Sequence, residues 1–536
     1  MIQDLRSQED GLALEADLCV IGAGAAGIAM ATRFVATDIR VCLVESGGYD
    51  YEEDTQKLYA GRSLGEPVEL EDLGRLRMLG GTTNHWGGRC AEYSAAEFAV
   101  RDWVPHGGWP IDRDELKPFY RRARELCGLT ADCASNEETL RFLHIADDSA
   151  ATDQIDTQIW RYAPDAGEGN WNFGLVYRSK LERAANVRLV LHANCTAFHT
   201  NEGLGHVDAI AVRSLTGVSG TITARAFVLC CGGIENPRLL LAASPSEQRG
   251  LGDSHDLIGR FFMQHLRADA ARIVPAQSLS PMQDVYGDFN GSDSVSYSVG
   301  LALGEAPQRE HKLLNCSAVI DYFGDPRAGT TAAQDIWRRL REARWADDLG
   351  MKVWRVVRDL SAIESNAERR LLHGMHPLLL LESASLTVDV EQVPNPDSRI
   401  MLGGERDALG MRQTVTDWRF SPVEKQTVRH FMMATAAAFA RRGIGRVALL
   451  PWLEERNDGW PHPMLQTFHY MGTTRMSATP AQGVVDPSCR VWGVDNLYIA
   501  GSSVFPVGGH VNPTLTLTAL ALRLADHLTV ILGKSP

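Results

Sequence analysis

Asp17-Leu18-Cys19-Val20-Ile21-Gly22-Ala23-Gly24-Ala25-Ala26-Gly27 is the stretch on which the fold turns. An apolar run, Asp17 to Ile21, reads as a strand and meets three glycines spaced Gly-x-Gly-x-x-Gly. A helix is expected to about Val35, and a second strand, Val41 to Val44, closes on Glu45. This is a βαβ dinucleotide fingerprint. Gly22 permits the tight turn, Gly24 lets backbone approach a pyrophosphate, and Gly27 lets helix and strand pack closely. Ala25 and Ala26 begin the helix, whose free amides and positive dipole end favour an anion. Glu45 is placed to accept hydrogen bonds from ribose hydroxyls. The pattern leaves NAD and FAD undivided.

Downstream, Leu79-Gly80-Gly81-Thr82-Thr83-Asn84-His85-Trp86-Gly87-Gly88 is a glycine-rich loop, which lets backbone lie against a flat ligand. Asp112 and Glu115 have capping-box spacing before a helix, Glu115 to Leu126. Residues 187 to 230 read as short strands, the last running into Cys230-Cys231-Gly232-Gly233, with a helix resuming through Glu235-Asn236-Pro237-Arg238. This second strand–turn–helix places Cys231 beside the nucleotide unit. Between 266 and 464 the nucleotide signatures stop. Leu378 to Leu381, Leu386 to Val390 and Arg399 to Leu402 read as strands of an antiparallel sheet.

The last 70 or so residues carry the chemistry. Phe468-His469-Tyr470-Met471-Gly472-Thr473-Thr474-Arg475-Met476 is followed by a strand, Leu497 to Ala500, then Gly501 and Ser502 of a loop reaching Asn512-Pro513-Thr514. Asn512 is expected as N-cap and Pro513 as first residue of a helix to about Leu528. The helix start would favour negative charge on a ligand there by about 0.3–1 kcal/mol. His469 is the natural base, because an imidazole can take a hydroxyl proton as hydride leaves the same carbon.

Together the fingerprint, the Gly-Gly-x-x-x-His loop, His-x-x-Gly-Thr-x-x-Met and the final Asn-Pro-Thr resemble the glucose-methanol-choline oxidoreductases. The resemblance covers roughly 17–265 and 465–532. It implies an α/β fold: a Rossmann-like FAD domain from 1–265 and 465–536, and a substrate domain, 266–464, on an antiparallel sheet flanked by helices. By position, His469 matches the family's catalytic histidine and Asn512 the second active-site position, with His510 a nearby competitor. Gly80, Gly81, Thr83, Asn84, His85 and Gly87 match the flavin loop. Some members link the flavin to a histidine at the place of His85 and others do not, so a covalent bond there stays open. Pyranose oxidases have Thr-His-Trp-Thr where this chain has Asn84-His85-Trp86-Gly87. Gly87 lacks a hydroxyl that would contact flavin N5, which leaves reactivity with oxygen open. The loop and Asn512 are most similar to the branch that oxidises sugars and glycosides, so the resemblance implies oxidation of a secondary sugar hydroxyl. The electron acceptor is O2, a quinone or a cytochrome. A non-sugar alcohol substrate, or a non-redox role for FAD, is the alternative.

Composition limits partners. With 53 Lys+Arg against 67 Asp+Glu, the net charge of −14 disfavours nucleic acid. The ten cysteines have no Cys-x-x-Cys and no metal-ligand spacing, so no metal is expected. The acidic N-terminus lacks a leader pattern, giving a cytoplasmic expectation. Pro513 to Leu532 is apolar but contains Arg523, Asp526 and His527, which reads as a buried helix rather than an integral membrane segment. Residues 336–360 form a basic run bearing Trp337, Trp345 and Trp354, read as a surface helix or a docking site for an acceptor, small subunit or membrane surface; homo-oligomerisation stays open.

Overall fold

The computed structural model describes residues 1–69, 74–129, 136–145, 152–164, 171–243, 250–275, 280–291, 295–324, 327–341, 349–360, 364, 381–455, 457, 459–461 and 464–533. The fingerprint is the strand Leu12–Ile21, the helix Ala25–Phe34 and the strand Val41–Val44, as its spacing predicts. Leu12–Ile21 pairs in parallel with Val41–Val44 on one side and Ser219–Leu229 on the other. Val187–Leu191 and Ile2–Asp4 extend the parallel array outward, and Leu497–Ile499 joins along Ser219–Leu229. Val207–Arg213 and Asn194–Thr200 complete this eight-stranded sheet in antiparallel fashion. The buried face of the helix packs close to the strand turn because Gly27 has no Cβ: one added there would lie 1.9 Å from the Gly22 carbonyl oxygen. Gly22 itself has φ +102°, a conformation that only glycine adopts without strain.

A second eight-stranded sheet is antiparallel throughout, which bears out the expected sheet. Its spine is Leu266–Pro275, Leu381–Val390, Cys316–Gly324 and Ser296–Leu303. Ser296–Leu303 then pairs with Ile155–Tyr162, and that strand with Arg89–Cys90. Sheet membership therefore crosses residue 265: two strands from the N-terminal part of the chain belong to this sheet. A third sheet of three strands joins Arg399–Arg406, Arg412–Trp418 and Gly61–Gly65. Of the expected strand at 378–381, residues 378–380 lie outside the described residues.

The C-terminal helix, Thr514–Leu532, is long and apolar enough to cross a bilayer, at mean hydropathy 1.5, yet 61% of that stretch is buried. It packs on the helices Ala25–Phe34 and Arg113–Leu126. Two sequence expectations need correction here. Asp112 makes no side-chain cap, and Glu115 reaches instead to Arg523 of the C-terminal helix (2.7 Å). The final helix starts at Thr514 with Pro513 as its cap residue, because the Asn512 side chain is engaged elsewhere. The basic run at 336–360 is two packed helices, Gly329–Arg341 and Leu349–Arg358, with 342–348 outside the described residues. On the second, Trp354 is 60% exposed. The nine described cysteines are free, and Cys133 lies outside the described residues.

One buried ionic cluster fixes the segments that flank the fingerprint. Glu235, on the helix Gly232–Ala242, accepts from Arg75 (3.1 Å), Arg77 (2.8 Å) and Arg238 (3.1 Å), and Arg238 in turn donates to Asp407 (2.7 Å). Burial alone would raise the Glu235 carboxyl, but Arg238, Arg77 and Arg75 bring it down to about 2. Removing one charge from such a cluster leaves buried cations unpaired, which costs about 3–5 kcal/mol. We expect Glu235→Gln to lower the urea midpoint at pH 7 accordingly. The carboxylate's contribution is present above its ordinary value of 4.5 and lost as pH falls toward 2. The variant should therefore lose less stability than the parent between those limits, measured by denaturation at stepped pH.

Candidate active site

A cavity of about 590 Å³ runs from the fingerprint turn to the start of the C-terminal helix. Most of the sequence-predicted residues line it: Gly22, Gly24, Ala25 and Ala26 of the turn, then Glu45, then Gly81, Thr83, His85 and Gly87 of the glycine-rich loop. Cys231 lines it from the second strand–turn–helix, and Gly501, Ser502, Asn512, Pro513 and Thr514 from the C-terminal segment. Gly27, Gly80 and Asn84 build the wall from behind. The Gly80 amide donates to the Ala23 carbonyl (2.8 Å), and the Asn84 amide donates to the carbonyls of Leu79 (3.1 Å) and Gly81 (2.7 Å).

The shape fits a long, flat, phosphate-bearing ligand. A Cβ on Gly24 would meet nothing within 4 Å, so its backbone is bare toward the cavity, whereas one on Gly81 would lie 3.0 Å from the Gly24 Cα. The turn and the loop are thus pressed together at glycine and leave the cavity side open. Glu45 shares its carboxylate between holding the turn, through the amides of Ala23 and Gly47 (2.9 Å each), and facing the cavity. The sequence reading did not include Tyr59, Arg75 or Arg77, which also line it; Arg75 and Arg77 stack on Tyr59 at 3.9 and 4.2 Å.

At the far end His469 stands half-buried in the wall. Its segment runs antiparallel to the chain just before the strand Leu266–Pro275: Met471 and Met263 exchange backbone hydrogen bonds of 2.9 and 3.0 Å. Thr467 donates to the His265 carbonyl (3.0 Å). That register sets His469 opposite His265, with the two Nδ1 atoms 2.9 Å apart. On its other side, His469 Nε2 lies 3.3 Å from Asn512 Nδ2. Burial first, then His265 and Arg267, hold the His469 imidazole well below its ordinary value, with Asp389 opposing them. The ring is therefore neutral, the form that accepts a proton. Asp389 is bound by Arg267 (2.8 and 2.6 Å) and lies 3.6 Å from Arg89, whose guanidinium stacks 3.7 Å over Trp160.

His510 and Asn512 are separated by the loop's geometry. The His510 amide donates to Glu97 (3.1 Å), and its Nε2 lies 3.1 Å from Gln158 Oε1. Gly509 has φ +59°, and a Cβ there would fall 2.3 Å from Glu97 Oε1, so the loop closes onto that carboxylate only at glycine. Asn512 is the one of the pair brought to His469. His265 was missed by the sequence reading, since nothing local marks a histidine whose partner lies 204 residues away.

The known proteins similar to this chain are oxidoreductases by name. A family model described as GMC oxidoreductase matches residues 394–521. The 2-methyl-1,2-propanediol dehydrogenase of Mycolicibacterium austroafricanum is 22% identical, over 96% of this chain and 95% of its own length. The fructose dehydrogenase large subunit of Gluconobacter japonicus is 23% identical, over 96% and 98%. The crystal structure of a formate oxidase superposes with a TM-score of 0.59 at 15% identity, covering 98% of this chain and 99% of that one, which shows a shared fold.

Gly24→Val should fill the bare face of the turn. We expect the variant to purify with markedly less FAD, read as the ratio of absorbance at 450 nm to that at 280 nm, and with an unchanged far-ultraviolet circular dichroism spectrum. Full FAD content would show that the turn does not meet the cofactor.

Proposed function

The chain is an oxidoreductase of the GMC family acting on hydroxyl groups with FAD, and on that premise we propose that it oxidises a secondary hydroxyl of a sugar or glycoside to a carbonyl. The observation that carries the reading is the pairing of His469 Nε2 with the Asn512 amide at the wall of the cofactor cavity. His469 accepts the hydroxyl proton at Nε2, and Asn512 turns its amide to the hydroxyl oxygen. Their mutual contact of 3.3 Å is long enough to be exchanged for substrate at little cost. FAD, when bound, supplies the hydride acceptor. The chain's own part is to hold carbon, oxygen and base in line, which can supply about 7–11 kcal/mol of the barrier reduction in a well-oriented step.

Two finer points belong to the same reading. His85 lines the cavity with its pKa lowered by burial, which keeps the ring neutral and able to bond to the flavin. A yellow pellet after trichloroacetic acid precipitation, lost in His85→Ala, supports a covalent link; free FAD in the supernatant overturns it. The second point is the acceptor. Gly87 carries no hydroxyl toward the cavity, which favours an acceptor other than oxygen. A relative named for 2-methyl-1,2-propanediol favours a second reading, in which the substrate is a simple alcohol.

The deciding experiment is anaerobic flavin bleaching at about 450 nm against sugars, glycosides, aminoglycosides and simple alcohols, followed by air. Bleaching by a sugar class, persisting in air, is the expected result; bleaching by simple alcohols alone overturns the sugar assignment. His469→Ala should slow bleaching by about 10²–10⁴-fold, the span of general base catalysis, with FAD still bound. Because the base works when unprotonated and its pKa is depressed, the bleaching rate should stay flat as pH falls from 8 through the ordinary imidazole value of 6.5, declining only below it.

A further inference from the structure

His469 offers one nitrogen to the substrate, and its buried neighbours decide which. The chain of contacts is Gly508 carbonyl to His265 Nε2 (3.0 Å), His265 Nδ1 to His469 Nδ1 (2.9 Å), and His469 Nε2 to Asn512 Nδ2 (3.3 Å). A carbonyl only accepts, so His265 carries its proton on Nε2. A neutral imidazole has one N–H. His265 Nδ1 is therefore a lone pair, and the short contact between the two Nδ1 atoms needs its proton from His469. That leaves His469 Nε2 as a lone pair, which the Asn512 amide meets as donor. Each link then has one donor and one acceptor with both rings neutral.

We propose that His265 is a positioning residue that holds His469 in its Nδ1–H tautomer, so that Nε2 faces the cavity as the proton acceptor. This rests on the assignment of His469 as base. The lock is rigid because its far end is fixed. Tyr93 also donates to the Gly508 carbonyl, and His265 is only 1% exposed, so no water replaces either bond. The opposite tautomer of His469 would set two lone pairs against each other, or flip His265 and leave its Nε2 lone pair facing the carbonyl. Losing one such buried hydrogen bond corresponds to roughly a 5- to 150-fold preference. When His469 takes the substrate proton, its Nδ1–H still points at the His265 lone pair, so the cation forms without any further transfer. The charged and titratable groups around the pair are Asp389, which favours that cation, Arg267 and Arg89, which oppose it, and His510.

The test uses the FAD-loaded protein labelled with ¹⁵N-histidine, read by long-range proton–nitrogen correlation. The His469 signals are identified by their loss in His469→Gln. A pyrrole-like Nδ1 and a pyridine-like Nε2 are expected in the parent; the reverse overturns the proposal outright, whatever the variants do. His265→Leu removes the acceptor and should mix or invert that pattern and slow bleaching at saturating substrate at least 10-fold, with little change in KM. His265→Asn, which keeps an oxygen where Nδ1 stood, should restore the pattern and recover most of the rate. An unchanged tautomer in His265→Leu, or equal loss in the leucine and asparagine variants, reduces His265 to a packing role. Should His469→Ala bleach normally, the base assignment fails while the nitrogen spectrum still decides the tautomer.

Discussion

The paired backbone bonds between Met263 and Met471, 3.0 and 2.9 Å, are the seam on which this protein's chemistry depends. On one side of the seam the chain enters the antiparallel sheet through Leu266–Pro275. On the other it continues to Gly472 and Thr474, whose amides bond to the carbonyls of Ser502 (3.3 Å) and Ser503 (2.9 Å) in the cofactor-side loop. Main-chain bonds of this kind are directional and, once buried, expensive to leave unmade. Through them the two sheets meet in one fixed register, and the register sets His469 opposite His265 and beside Asn512. A slip would carry His469 away from both.

Local signals were legible in the sequence. The spacing of Gly22, Gly24 and Gly27 states a steric requirement within one turn, and Gly27 meets it at 1.9 Å from the Gly22 carbonyl. The antiparallel character of Leu381–Val390 and Arg399–Arg406 followed from composition and turn residues. Non-local pairing was not legible. His265 is an unremarkable residue in its own segment, and nothing beside Arg89 in the chain marks Trp160 as its partner. Caps failed for the same reason: Glu115 and Asn512 carry the right side chains for helix starts, but tertiary partners, Arg523 and His469, claimed them. Propensity is a weak prior where a longer-range hydrogen bond competes.

The electrostatics divide the cavity into two regimes. Toward the fingerprint, the carboxylates of Glu235 and Asp407 stand against three guanidiniums, so the walls near Tyr59 keep an excess of positive charge within that cluster. At the far end Asp389 is shared by Arg267 and Arg89, and the histidines beside it stay neutral. An imidazole kept neutral by burial and nearby cations can accept a proton over a wide pH range, at the expense of proton affinity. The hydrogen-bonded ring behind it recovers part of that affinity in the moment of transfer, a form of preorganisation built from two imidazoles and a carbonyl.

The strand Arg89–Cys90 begins two residues after Gly87, so the loop that lines the cavity becomes, almost at once, the edge of the antiparallel sheet. Ile155–Tyr162 ties the same edge to Ser296–Leu303. The cavity loop and the antiparallel sheet are therefore woven together rather than stacked. A chimera that exchanged residues 266–464 for those of a relative would bring a sheet lacking its last two native strands, and its new edge would have to match Ile155–Tyr162 by chance. For recombination, and for lineages that drift in substrate preference, the inheritable unit includes the glycine-rich loop.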